Sequence, residues 1–595
     1  MKHILIILST VCLFLQAQTQ KEFHLLDSLP QKTLAAIWCP DAKEMKDAFL
    51  KSDLYLLYTE QEVQEFLAPM REVFEHQIRK EMNREFRKIK EQSGVDANLD
   101  TFLNAIVGEA VVAVVDLDLN NRRMPVRFAF SVEVSDEIRQ IIDKLIAPQT
   151  QTQKLGELEI HTGRFPGCYT WKNNTLLYAS TPELMSEINN NNEGLSSSTQ
   201  FQSVMEKIAP EGEVTSIAGY INSKDGWALG KNFIPPFVDG MLGRSAIYDL
   251  ENIGFSSNFS GRDIHSHFFM HLPNGKNGLF KLTPTTPVDV KTSAKKFPKD
   301  TMAFTVGNMD LTTVMNEIEK ILRDVDPEGQ MGLMQQYEGG LQFLKQNANI
   351  DMNQLADALE GTVTQGGLLH KRGMLPSSVA VYTIKNRQSL ESFLQSLANT
   401  MELDIKSTEQ NGRTIHYFSS KLGQLGNNPF DPRQSMRNPV QYIISSISYS
   451  FSGMSYAIEN DSFYLSDSAQ ALGRYLKWSE TDGPSLADSD EFVKSTENLD
   501  SSCTMIMYFN QKLLLARWWN TALHFIRLGE GILKKQKIPF HSALLPSHDV
   551  ITKHIGRATL EFNNPENGIY FTYKGQAELV ITGSVVIGAA ILMLF

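Results

Sequence analysis

Two imidazoles two residues apart, His265 and His267 in the run Ile264-His265-Ser266-His267-Phe268-Phe269-Met270-His271, are the side chains of this sequence best spaced to hold a metal ion. In a β-strand alternate side chains share a face, and a rise of about 3.3 Å per residue sets these two roughly 6.6 Å apart. Both could then reach one Zn²⁺. His271 shares the face but lies too far along for the same ion without a bend, and a solvent-facing strand is the plainer account of the pattern. His161 and His416 recur at matching places, in Glu159-Ile160-His161 and Thr414-Ile415-His416. Neither has the Ser, Cys or carboxylate neighbours that would mark a general base. Asp116-Leu117-Asp118-Leu119-Asn120 and Asp324-Val325-Asp326-Pro327-Glu328-Gly329 carry pieces of a calcium loop, yet neither closes with a Glu at the required spacing. No GxSxG elbow, GxxxxGK[ST] loop, HExxH helix or Gly-rich dinucleotide turn is present. No catalytic residue and no cofactor is therefore expected, and the balance is against an enzyme.

The elements that would position these residues follow from periodicity. Apolar residues at three-to-four spacing, among them Val63, Phe66, Leu67, Met70 and Phe86, predict a long amphipathic helix over 60–92, with Pro69 kinking or breaking it near its start. The run 512–537 sets Trp518 and Trp519 with Leu513, Phe525 and Leu528 among Lys512, Arg517, Arg527 and Lys534. Such a basic, aromatic helix can lie at a lipid interface, and the same pattern describes a core helix with a solvated basic edge. Of four cysteines, Cys39, Cys168 and Cys503 lie beyond the first 17 residues, too few and too scattered for a disulfide scaffold; isolated buried thiols are expected.

The strongest regularity is a repeat. Leu176-Leu177-Tyr178-Ala179-Ser180 matches Phe463-Tyr464-Leu465-Ser466-Asp467; Leu195 and Phe201 match Leu486 and Phe492 across the same six-residue step; Tyr220-Ile221-Asn222 matches Tyr508-Phe509-Asn510. Leu29-Pro30 and Phe297-Pro298 open each half, and Ile253-Gly254 and Ile555-Gly556 precede the closing strands. Recurrence in one order points to a duplicated unit, at 24–282 and 297–575, joined by an exposed linker at 283–296 rich in Pro, Thr and Lys. Short polar turns between neighbouring strands favour antiparallel pairing. The expected class is α+β: two tandem related units with mainly antiparallel sheets packed by helices.

The ends bear on compartment. Met1-Lys2-His3 precedes an apolar run to Leu15, which reads as a signal peptide over 1–17. Residues 579–595 carry no charge, and their roughly 25 Å of helix predicts a short C-terminal transmembrane segment. A net charge of −12 over 595 residues argues against a nucleic-acid partner.

The Pro-led strand, the Asp-led helix ending in Gly, the Glu159-Ile160-His161 hairpin and the Leu-Ser-x-x-x-x-Phe helix entry resemble a bacterial family of exported, membrane-anchored tandem-repeat proteins of unknown function. The resemblance implies an envelope or periplasmic location and carries no catalytic residue across; in the second half Leu486-Ala487 replaces the Leu-Ser pair. The expected function is a non-enzymatic binding or scaffolding role in the envelope, tethered through 579–595, with another envelope protein or a lipid as partner. One alternative is a lipid or apolar-ligand carrier, with Trp518 and Trp519 at the membrane and a continuous apolar cavity between units. The other is a metal-dependent hydrolase built on His265 and His267.

Overall fold

Twenty strands of five to twelve residues lie among the described residues, most of them with apolar residues on alternate positions. The first ten are β1 Ala35–Cys39, β2 Ile106–Leu117, β3 Val126–Val134, β4 Gln151–Leu155, β5 Leu158–Thr162, β6 Cys168–Lys172, β7 Thr175–Ala179, β8 Val214–Asn222, β9 Asn252–Ser260 and β10 Asp263–His271. The second ten are β11 Ala303–Asn308, β12 Leu359–Leu368, β13 Ser377–Ile384, β14 Leu403–Gln410, β15 Arg413–Ser420, β16 Ser455–Glu459, β17 Ser462–Ser466, β18 Cys503–Asn510, β19 Arg557–Asn563 and β20 Gly568–Gly575. The computed structural model describes residues 23–95, 101, 105–117, 125–146, 149–163, 166–308, 310–347, 350–368, 377–401, 403–420, 451–481, 483–535 and 539–576.

All twenty strands join one antiparallel sheet. In the first half the neighbours run β4-β5-β6-β7-β3-β2-β1-β8-β9-β10. In the second they run β14-β15-β16-β17-β13-β12-β11-β18-β19-β20, the same order strand for strand. The halves meet where β10 pairs with β20 from Ile264↔Gly575 to His271↔Gly568. The fold is thus α+β, a large antiparallel sheet packed against helices. Its outer strands β4 and β14 carry Lys154 and Asp404, Lys406 and Glu409, charges that discourage edge-to-edge pairing with other chains.

The recurring residues have local reasons. Tyr220 and Tyr508 are fully buried in the cores of their halves. Two residues on, Asn222 Oδ1 accepts the Asp225 N–H at 3.0 Å and Asn510 Oδ1 accepts the Leu513 N–H at 3.1 Å. Each Asn therefore caps the helix that follows its strand, Ser223–Gly230 in one half and Gln511–Lys535 in the other. Replacing Asn510 by Ala should cost about 1 kcal/mol, as for other caps, and Asn222→Ala the same; matched urea melts of the two variants test the equivalence. Thr33 and Thr301 each donate at 2.6 Å to the carbonyl of Pro30 and Pro298, and those prolines bridge to Gly194 and Ser485. Just beyond, Leu195, Phe201, Leu486 and Phe492 fill the cores, which is why the six-residue step recurs.

Several expectations change. Tyr220 faces Gly254 across β8 and β9, but Tyr508 faces Thr559 across β18 and β19. Gly556 thus lies outside its strand, three positions from the equivalent of Gly254. The expected exposed linker contains a short helix, Val290–Ala294, whose Val290 and Ala294 are buried in the second core. The long helix runs Gln61–Ser93 through Pro69 as one element.

The transmembrane expectation is corrected. Among the described residues no helix is long and apolar enough to cross a membrane. The longest, Gln61–Ser93 and Gln511–Lys535, each contain several charged residues, and segments 1–17 and 579–595 lie outside the described residues. A membrane partner reached through a spanning C-terminal helix is therefore not retained. Cys39, Cys168 and Cys503 are free and buried; burial pushes their thiols up to about 12, 11 and 12, so they are unreactive fillers.

Candidate metal centre

Strand alternation places His265, His267, Phe269 and His271 on one face of β10, and the rings of His265 and His267 lie 6.4 Å apart. The third member comes from a different element. Helix Thr199–Ile208 ends at a turn through Gly212, whose φ of +88° suits glycine. The next residue, Glu213, is brought over β10, where its carboxylate accepts from His265 Nδ1 and from His267 Nε2, the latter at 2.8 Å. The ligand atoms of Glu213, His265 and His267 all lie within 4.8 Å of one another.

Two neighbours hold this arrangement. Asn258 on β9, opposite His265, donates from Nδ2 to Glu213 Oε2 at 2.9 Å and to the Ile208 carbonyl at 3.1 Å, pinning the loop to the sheet. Tyr570 on β20 shares a hydrogen bond with His267 Nδ1, and its ring stacks on the imidazole at 5.8 Å and 7°. The group therefore spans the seam between the halves. Burial alone would raise the Glu213 carboxyl, but hydrogen bonds and charge from His265 and His267 outweigh it and hold the carboxyl well below its usual range. Burial pushes the Tyr570 phenol upward, so it stays protonated. Tyr570→Phe leaves a buried ring nitrogen without its partner and should cost about 1–3 kcal/mol, read from the shift in denaturation midpoint at constant m-value.

Two imidazoles and a carboxylate form a donor set for zinc. Around a tetrahedral ion such atoms sit roughly 3.3 Å apart, and the three ligand atoms here already lie within 4.8 Å of one another. The group is enclosed: side-chain exposure is 4% for His267, 12% for Glu213 and 15% for His265. A hydrolytic zinc site keeps an open position for water and substrate; here only the rim formed by His265 and Glu213 meets solvent, and His267 lies behind it.

Sequence spacing found His265 and His267 and excluded His271, which bonds Asn252 instead. It missed Glu213, 52 residues away in the chain. His161 and His416 repeat one arrangement: each stacks on a tyrosine of the next strand, Tyr169 at 4.8 Å and Tyr456 at 5.1 Å. His416 borders a cleft of about 510 Å³ with Arg387, Glu391, Arg413 and Glu459. Those charges pair among themselves or with Glu480, leaving no convergent set. Of the calcium-like runs, Asp326 instead accepts the N–H groups of Met331 and Leu333. On the helix Gln511–Lys535, Trp519 is half-buried and the Trp518 side chain lies outside the described set. Among the described side chains of that helix the exposed large apolar residues are Phe525, Leu528 and Ile532, further along.

No protein-family model matches the chain, and no curated protein matches it. Among solved structures it is similar to crystal form I of TP0453, at 9% identity and TM-score 0.21, over 44% of this chain and 83% of that one. Crystal form III of TP0453 is similar at 10% identity and TM-score 0.22, over 44% and 84%. Likeness at that level carries no argument about fold or role.

Proposed function

We propose that the chain is an exported bacterial envelope protein with a non-enzymatic binding or scaffolding role, built from two units related by duplication. The observation that carries this reading is the enclosure of the Glu213, His265 and His267 group between β9, β10 and β20. The residue types most able to do chemistry are committed to one another, and His267 also to Tyr570 across the seam. The matching strand order supports the duplication, and a sheet continuous through both units makes a stiff support for the helices and loops it carries. The apolar-carrier alternative requires a continuous apolar cavity. The clefts found in the second half are bordered instead by polar and charged groups such as Arg413, Glu459, Asn316 and Lys385.

Export is tested by expressing the full chain in a bacterial host, fractionating the cells and sequencing the N-terminus. A shortened N-terminus in the envelope or periplasmic fraction is expected, and an intact Met1 confined to the cytoplasm overturns export. The non-enzymatic reading is tested by screening the purified chain and its Glu213→Gln variant against esterase, peptidase and phosphatase substrates. Turnover by the wild type that the variant loses overturns it. Lipid extraction followed by mass spectrometry should return no stoichiometric lipid.

A further inference from the structure

We propose that Glu213, His265 and His267 bind one divalent transition-metal ion, with zinc the best match, and that the ion fixes the His267 ring that meets Tyr570 across the seam. Each ligand is positioned before any ion arrives. His265 and His267 stand on a paired strand, and Glu213 is drawn over them by a loop that Asn258 ties to β9. Two imidazole nitrogens with one carboxylate suit zinc over the oxygen-seeking calcium and magnesium ions.

The surrounding groups complete a metal shell. The partner of His267 Nδ1 is the Tyr570 hydroxyl, so Nε2 is the nitrogen presented to the cluster; zinc-bound histidines are oriented by such a second bond. Glu213 Oε2 is likewise held by Asn258. Asn258 itself is fully buried, and among the described residues its Oδ1 has no hydrogen-bond partner. A water on the ion would supply the missing donor. Binding exchanges the two N–H···carboxylate hydrogen bonds for metal–nitrogen bonds, and each neutral imidazole keeps its one proton on the nitrogen facing away from the ion, which for His267 is Nδ1 beside the Tyr570 hydroxyl. All three ligands belong to the first half, so the ion acts on the seam through His267 alone, by fixing the ring that bonds and stacks with Tyr570 of β20.

The test uses the full chain, stripped with a chelator and titrated with Zn²⁺ against a chromophoric competitor, and with Co²⁺ followed by its visible absorption. One ion per chain is expected, with d–d bands of a four- or five-coordinate site, and zinc should raise the melting temperature. Glu213→Gln and His267→Gln should each weaken binding by about 100-fold, and Tyr570→Phe by about tenfold. If His267→Gln does not fold, His265→Asn at the more exposed rim replaces it. A folded, stripped wild type that takes up neither ion overturns the proposal and leaves the cluster a proton-held clamp. Unchanged affinity in Glu213→Gln also overturns it, by placing the ion elsewhere.

Discussion

Lys574→Met is expected to destabilise the protein by about 3–5 kcal/mol at neutral pH, the usual effect of removing one partner of a buried ion pair. Lys574 Nζ donates to both carboxylate oxygens of Glu561, at 2.9 and 3.0 Å, and Glu561 is 2% exposed. Burial raises the Glu561 carboxyl above its ordinary value of 4.5, and the Lys574 charge and hydrogen bonds partly offset that. Because the folded value is raised, the folded state binds this proton more tightly than the unfolded chain does. The stability it contributes is therefore fully present below about pH 4.5 and is lost as pH rises through the folded value. Without Lys574 the folded value rises further, so the penalty of the variant should be largest at neutral pH and shrink on acidification. Urea melts at pH 7 and near pH 4.5 read this directly, and adding Glu561→Gln should recover most of the loss. Equal penalties at both pH values, or a double variant as unstable as the single one, would sink the argument.

Phe269→Ala should cost about 3–5 kcal/mol, the range for emptying a well-packed aromatic site. Phe269 is fully buried in the first core, yet its ring also meets Tyr570 edge-on at 6.3 Å and lies over the backbone at Gly568, where a Cβ would come within 2.4 Å of it. One residue thus packs the first half and the strand that joins it to the second. Fluorescence and far-UV circular dichroism should report one cooperative transition in the wild type and, in the variant, either a lower midpoint or two separated transitions. A loss under about 1 kcal/mol would show that neighbouring side chains close the gap.

How much of this could be read from the chain depended on the range of the interaction. Tyr220 and Asn222, with Tyr508 and Asn510, were legible because a buried ring and a helix cap are demands made within a few residues. The pair His265 and His267 was legible because strand alternation is local. Glu213 was not: Pro210-Glu211-Gly212-Glu213 reads as an ordinary turn, and only the tie from Asn258 makes its carboxylate part of a site. Comparison by motif also misplaced Gly556, since like residue types at a strand entrance do not set hydrogen-bond register. Trp518 and Trp519 are the largest apolar residues of their helix, yet Trp519 is half-buried, and the exposed apolar residues among the described side chains of that helix are Phe525, Leu528 and Ile532.

β10 and β20 pair antiparallel from Ile264↔Gly575 to His271↔Gly568. Each strand would be the bare edge of its own half, and the two edges run antiparallel, the arrangement in which identical objects can meet face to face by a two-fold rotation. A lone half would thus resemble one subunit of a homodimer deprived of its mate. Covalent continuity supplies that mate within the same molecule, replacing a concentration-dependent encounter by a local one. With both edges on one polypeptide, the helices and loops of each half can differ so long as the strands at the join keep their register.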